Sequence, residues 1–152
     1  MKNDIDPKEK FDQFLIVMDE QIEALERDGD TRNTSLSLSM NSLESLESLF
    51  LKMTEEVDGD DLAKLIIYFS RYLGEIVIKA YGGKWKLSLG DKKNFNYDTP
   101  IVTGHSPVEK LEFSPIGVMR AFSIKKKKGM LRTAISAQVF PHPINLDDLR
   151  ET

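Results

Sequence analysis

Residues 68–85 read YFSRYLGEIVIKAYGGKW: an apolar run carrying Arg71, Glu75 and Lys79 as its charges, then two glycines, then the chain's single tryptophan. Leu62, Leu65, Phe69, Leu73, Ile76 and Ala80 recur at three and four residues and make one helical face, while Ile66, Ile67, Tyr68, Tyr72, Val77 and Ile78 fill most of the rest. A helix apolar nearly all round is a buried one, so the pattern predicts a helix over 61–81 as the spine of the fold. Arg71 and Glu75 stand four apart on one side and are expected to pair with each other, the form in which charges survive partial burial. No second carboxylate or histidine lies nearby in sequence to make them an acid–base site.

Working toward the C-terminus, Gly82 and Gly83 supply the left-handed residue that closes a helix. KWKLSL at 84–89 alternates with Trp85, Leu87 and Leu89 on one side, Gly90 and Asp91 mark a turn, and TPIVT at 99–103 is a second strand whose Pro100 favours an edge. A two-strand ribbon over 84–103 cannot stand alone and should lie against the helices. Residues 104–113 read as patternless loop. Ser114 and Pro115 start a helix, and helical spacing continues on both sides of 125–129, which predicts two helices or one bent at KKKKG. Pro141, His142 and Pro143 end this, leaving NLDDLRET as a tail.

Toward the N-terminus, Asp6, Pro7 and Glu9 form a cap-and-proline start for one helix whose stripe is Phe11, Phe14, Leu15, Met18, Ile22 and Leu25, ending near Asp28. GDTRNTS at 29–35 is loop. Met40, Leu43, Leu46, Phe50, Met53 and Val57 then carry helical spacing, with Asn41 and Glu44 placed as a capping box and EVDGDD at 56–61 as the breaker. The reading is an α+β single domain over 1–152, predominantly helical, with a small antiparallel β ribbon on a central buried helix; 1–60 is its acidic helical part, and 61–140 holds the central helix, ribbon and C-terminal helices.

With 152 residues, 40% hydrophobic and 30% charged, the chain has the composition of a globular protein large enough to bury a core. It has no cysteine, which excludes disulfides, thiolate metal sites and thiol nucleophiles. MKNDIDPKEK is too charged for a secretory h-region and no apolar run approaches the roughly 20 residues of a membrane span, so a cytoplasmic protein is expected. The net charge of −4 hides a split: residues 1–61 sum to −11 and 62–152 to +7. Such asymmetry points to a charged partner, unless the halves neutralise one another.

No catalytic, cofactor or metal site is expected. His105 and His142 stand in loops without HExxH or a carboxylate cluster at ligand spacing, and the DGD and DGDD stretches at 28–30 and 58–61 lack the twelve-residue calcium series. Ser123 and Lys126 match S-x-x-K without its partner motifs, and GxxxxGK[ST], GxGxxG and G-x-S-x-G do not occur. Arg120 with Lys125, Lys126, Lys127 and Lys128 could grip phosphates, which makes a nucleic-acid-associated role the alternative. Against it stand a pI near 5.3 and the lack of aromatics among the lysines.

At 72–85, YLGEIVIKAYGGKW, the chain resembles a group of small bacterial domains marked by a Tyr-Leu-Gly-Glu helix followed by Gly-Gly and an aromatic; their proline-led helix corresponds here to Ser114, Pro115 and Ile116 onward, and their basic, leucine-bearing segment to Lys128, Gly129, Met130 and Leu131. Some of that group resemble immunity proteins encoded beside secreted toxins. The resemblance implies a protein partner, a basic toxin domain, and no chemistry; it covers about 62–135 and transfers no catalytic residue. Opposite potentials speed such encounters, so the partner face is expected to draw on Glu44, Glu47, Glu55, Glu56, Asp58, Asp60 and Asp61.

Overall fold

A computed structural model describes residues 6–88, 99–107 and 111–139. Asp6 opens helix α1 (Pro7–Ile16): its carboxylate accepts the Lys8 N–H at 3.2 Å, and Pro7 sits in a first turn where its missing N–H costs nothing. The single helix expected here is two. At Val17 the backbone turns out of the helix (φ −91°, ψ 7°) and α2 (Met18–Asp30) begins. Phe14, Met18, Ile22 and Leu25 are all buried, so the apolar stripe runs straight across the break and periodicity does not reveal it. The cause is tertiary: the Phe14 carbonyl, which a continuous helix would offer to the Met18 N–H, accepts Arg71 Nε at 3.2 Å.

A 3₁₀ turn at Met40–Ser42 leads into α3 (Leu43–Met53). The Asn41–Glu44 capping box does not form, because the Ser42 hydroxyl accepts the Ser37 N–H at 2.7 Å and Glu44 is drawn to Arg132. The spine follows as α4 (Gly59–Tyr81), starting two residues before its expected bound. It buries Ile66, Phe69, Tyr72, Leu73, Ile76 and Val77, whereas its first two turns stay largely open and Ile67 is 38% exposed.

Gly82 and Gly83 take φ of 85° and 104° and reverse the chain into β1 (Lys84–Leu87), antiparallel to β2 (Pro100–Thr103) with Trp85 opposite Val102. Pro100 is the first residue of β2, as its missing donor requires, but β2 is no free edge. Val102 exchanges both backbone hydrogen bonds with Phe113, at 2.8 and 2.9 Å, and Phe113 is 1% exposed: residues 104–113, read as loop, deliver a core aromatic. Leu89 and the turn at Gly90 and Asp91 lie outside the described residues, as do Pro141, His142, Pro143 and the tail. The Ser114 hydroxyl accepts the Gly117 N–H at 3.0 Å to cap α5 (Pro115–Lys125), and left-handed Lys126 (φ 52°) and Gly129 (φ 90°) separate it from α6 (Met130–Val139), which settles the choice in favour of two helices.

The result is a predominantly helical α+β single domain: α2, α3, α5 and the ribbon pack around α4. Phe50 joins Phe69 of α4 edge-on at 5.0 Å and Phe122 of α5 at 5.8 Å. Among the described residues no helix is long and apolar enough to cross a membrane.

Arg71 and Glu75 do not pair with each other. The half-buried Trp85 needs an acceptor for its indole N–H and takes Glu75 Oε2 at 2.7 Å, while Arg71 lies over the Phe14 ring, 4.4 Å from its centroid. Phe14 meets Trp85 edge-on at 4.9 Å, so ribbon, α1 and α4 share one aromatic joint. Trp85 can settle there because position 74 is glycine: a Cβ on Gly74 would fall 2.2 Å from the indole Cζ2 and 3.2 Å from Pro115 Cγ. Elsewhere in a helix Gly→Ala gains up to about 1 kcal/mol of propensity. Here overpacking dominates, and Gly74→Ala is expected to lower the unfolding free energy by about 1–3 kcal/mol in urea titrations; a stabilised variant would refute the joint.

Candidate functional site

Glu44, Glu47, Ser48 and Leu51 recur at three and four residues and give α3 a face turned toward the connection between α5 and α6. That connection is the lysine run. Its end carries the first N–H groups of α6, which no intrahelical carbonyl can satisfy. Glu47 meets them from 82 and 84 residues away: Oε1 accepts the Gly129 N–H at 2.9 Å and Oε2 the Leu131 N–H at 3.0 Å. Glu47 is 3% exposed, and its anionic charge sits where the helix dipole favours it. One turn earlier Glu44 receives a two-pronged contact from Arg132, Nη2 to Oε1 at 2.9 Å and Nε to Oε2 at 3.1 Å, while the same Nη2 donates to the Met40 carbonyl at 2.8 Å. The Arg132 hydrogen bonds hold the Glu44 carboxyl below its ordinary range and raise the guanidinium in turn.

Between α3, the 33–35 loop and the lysine run lies a groove of about 610 Å³. Lys52, Lys126 and Lys128 line it together with Ser45, Ser48 and Phe122. Lys52 Nζ is fixed at 3.0 Å from Thr34 Oγ1 and 3.3 Å from the Arg32 carbonyl. With both carboxylates engaged by backbone and Arg132, what the groove offers a ligand is ammonium groups and hydroxyls, a polar contact surface.

The seven acids expected on one partner face are therefore divided. Glu47 is buried on the unsatisfied donors of α6, and Glu44, still part-exposed, is paired with Arg132. Glu55, Glu56, Asp58, Asp60 and Asp61 are brought together at the α3–α4 connection, all exposed, with no hydrogen bond or ion pair to their side chains among the described residues. The lysine run is held at the first two turns of α3; the acid turn starts beyond its last. Arg120, Lys125, Lys126, Lys127 and Lys128 are exposed. Ser123, matched to S-x-x-K, donates its hydroxyl to the Arg120 carbonyl at 2.6 Å.

His105 is not a loop-surface residue: it is 3% exposed, with Nε2 2.7 Å from Gln138 Oε1, and it fastens residues 104–106 to α6 together with Ser106, whose hydroxyl donates to the Gln138 carbonyl at 2.8 Å. His142 lies outside the described residues. Among those described, no three His, Asp or Glu side chains converge where they could hold a metal ion. Two more acids of the N-terminal half, both part-exposed, meet tyrosines of α4: Tyr72 donates to Glu26 Oε2 at 2.8 Å and Tyr68 to Asp28 Oδ2 at 2.7 Å, and burial first, then these carboxylates, push both phenols above their ordinary pKa. No local signal announces contacts 40 and 46 residues apart. Compared with models of known protein families, with curated proteins and with solved structures, the chain matches none.

Glu47→Ala strands two backbone donors and is expected to destabilise by about 2–3 kcal/mol, with faster amide exchange at Gly129 and Leu131; unchanged exchange there would exclude the cap. Glu44 has a folded pKa below its unfolded value of 4.5, so its contribution is present above about pH 4.5 and fades as pH falls through the folded value. The pair is two-fifths exposed, which keeps that contribution under about 1 kcal/mol. Glu44→Gln should therefore flatten the acid side of the stability–pH curve slightly and leave pH 7–8 slopes unchanged.

Proposed function

We propose that this protein is a binding protein without chemistry of its own, an immunity-type inhibitor that neutralises a basic toxin domain in the cytoplasm by covering its active site or substrate groove. The observation that carries this reading is the α3–α4 turn. Asp60 and Asp61 fall in the first turn of α4, where the helix dipole welcomes them and local stability would suffice as their reason. Glu55 and Glu56 have no such reason. They follow directly on the C-terminus of α3, where the dipole opposes negative charge, and Glu56 sits in the left-handed region at φ 60°, a position cheaper for glycine or asparagine. Five exposed, unpaired carboxylates within seven residues are locally unfavourable together; a cationic partner relieves them, and the same field steers it in.

The resemblance at 72–85 supports the reading as well. A second reading, nucleic-acid association, is favoured by the exposed Lys125, Lys126, Lys127 and Lys128 on a loop that Glu47 holds in place.

Mixed with the toxin domain encoded beside it, the protein should form a stable complex whose association rate falls at least about tenfold at low salt when Glu55, Glu56, Asp58, Asp60 and Asp61 are reversed to Lys. An unchanged rate with a folded variant would sink the role of the acid turn. Binding to DNA or RNA that collapses with salt and vanishes when the four lysines are neutralised would favour the second reading instead.

A further inference from the structure

Arg71 is a half-buried charge with no counter-charge among the described residues. Of its five N–H donors, Nε is used on the Phe14 carbonyl; among the described residues no acceptor takes the others and no carboxylate lies within 4 Å. Its guanidinium stacks on Phe14 and borders a cavity of about 450 Å³ between α1, α4, the ribbon and α5, walled by Phe11, Phe14, Ile67, Leu87 and Ile116. Among the described residues, the charged side chains lining this cavity are Lys10 and Arg71, both cationic. Burial draws the Arg71 pKa below its ordinary value.

A half-buried guanidinium facing apolar walls is costly unless something charged meets it. An apolar side chain at 71 would pack on Phe14 without that cost. We propose that the cavity is a binding site for a small amphiphilic monocarboxylate, an aliphatic or arylaliphatic acid, whose carboxylate is held by the free fork of Arg71 and whose tail lies against Phe11, Ile67 and Ile116. The volume falls within the roughly 300–1,000 Å³ of small-molecule sites, and apolar walls with one or two placed polar groups are their usual make-up. The planar fork matches a carboxylate in two parallel hydrogen bonds. A phosphate dianion would press its remaining charge against apolar walls. This site shares no lining residue with the α3 groove and stands independently of the toxin-binding proposal.

Trp85, the single tryptophan, touches Phe14 at the cavity wall and supplies a fluorescence reporter. Octanoate, 4-phenylbutyrate, 1-octanol and octylamine are titrated into the full chain by calorimetry and Trp85 emission. The expected result is saturable one-to-one binding of both acids, at least about tenfold weaker binding of octanol, and none of octylammonium. Arg71→Gln should abolish the preference for the acid over the alcohol, and Ile67→Trp, from a partly exposed position, should fill the cavity and remove binding of acid and alcohol alike. The proposal is overturned if the folded wild type shows no saturable binding of either acid at millimolar concentration, if octanol binds as well as octanoate, or if folded Ile67→Trp binds the acids unchanged.

Discussion

A 23-residue helix that is apolar over most of its circumference must be covered, and the arrangement of everything else follows from covering α4. Two elements from the acidic half, α2 and α3, pack against it, as do α5 and the ribbon. The covering is tight enough to make single atoms matter. The indole of Trp85 occupies the space that a side chain at Gly74 would need, and its ring packs edge-on against Phe14.

The polar groups carried under that cover explain where many carboxylates go. Tyr68, Tyr72 and Trp85 each need an acceptor, and Asp28, Glu26 and Glu75 provide it; the start of α6 needs two, and Glu47 provides both. The split between an acidic first half and a basic second half is thus partly resolved inside the molecule, at the seam where Glu44 holds Arg132 and Glu47 holds the end of the lysine run. Among the exposed charges, two runs contiguous in the chain flank α3: the acid turn and the lysines. Glu47 is buried on backbone donors and Glu44 is neutralised by Arg132, so five of the seven acids stay exposed without a counter-charge among the described residues.

The residues behind the resemblance turn out to be one packing unit. Gly74 makes room for Trp85, Glu75 receives its N–H, and Gly82 and Gly83 turn the chain so that the two meet. Such a pattern reports a way of attaching a ribbon to a helix. Gly83 is constrained from two directions, since its φ of 104° is left-handed and a Cβ there would lie 2.4 Å from the Thr103 carbonyl.

Sequence by itself determined the spine, the glycine stop, both strands and the Ser114 cap, and marked the lysine run as a break or a bend, because each rests on local physics: apolar periodicity, a left-handed turn, a hydroxyl three residues from an N–H. It also found the acid turn, whose charges are contiguous in the chain. Tertiary structure alone decided the bend at Val17, the burial of Phe113 and His105, the separate partners of Arg71 and Glu75, the burial of Glu47 and the pairing of the part-exposed Glu44 with Arg132. In every one of these a donor or a ring finds its complement at a distant position, and a hydrogen-bonding group with several acceptors of equal chemistry along the chain gives no local sign of which one folding will bring to it.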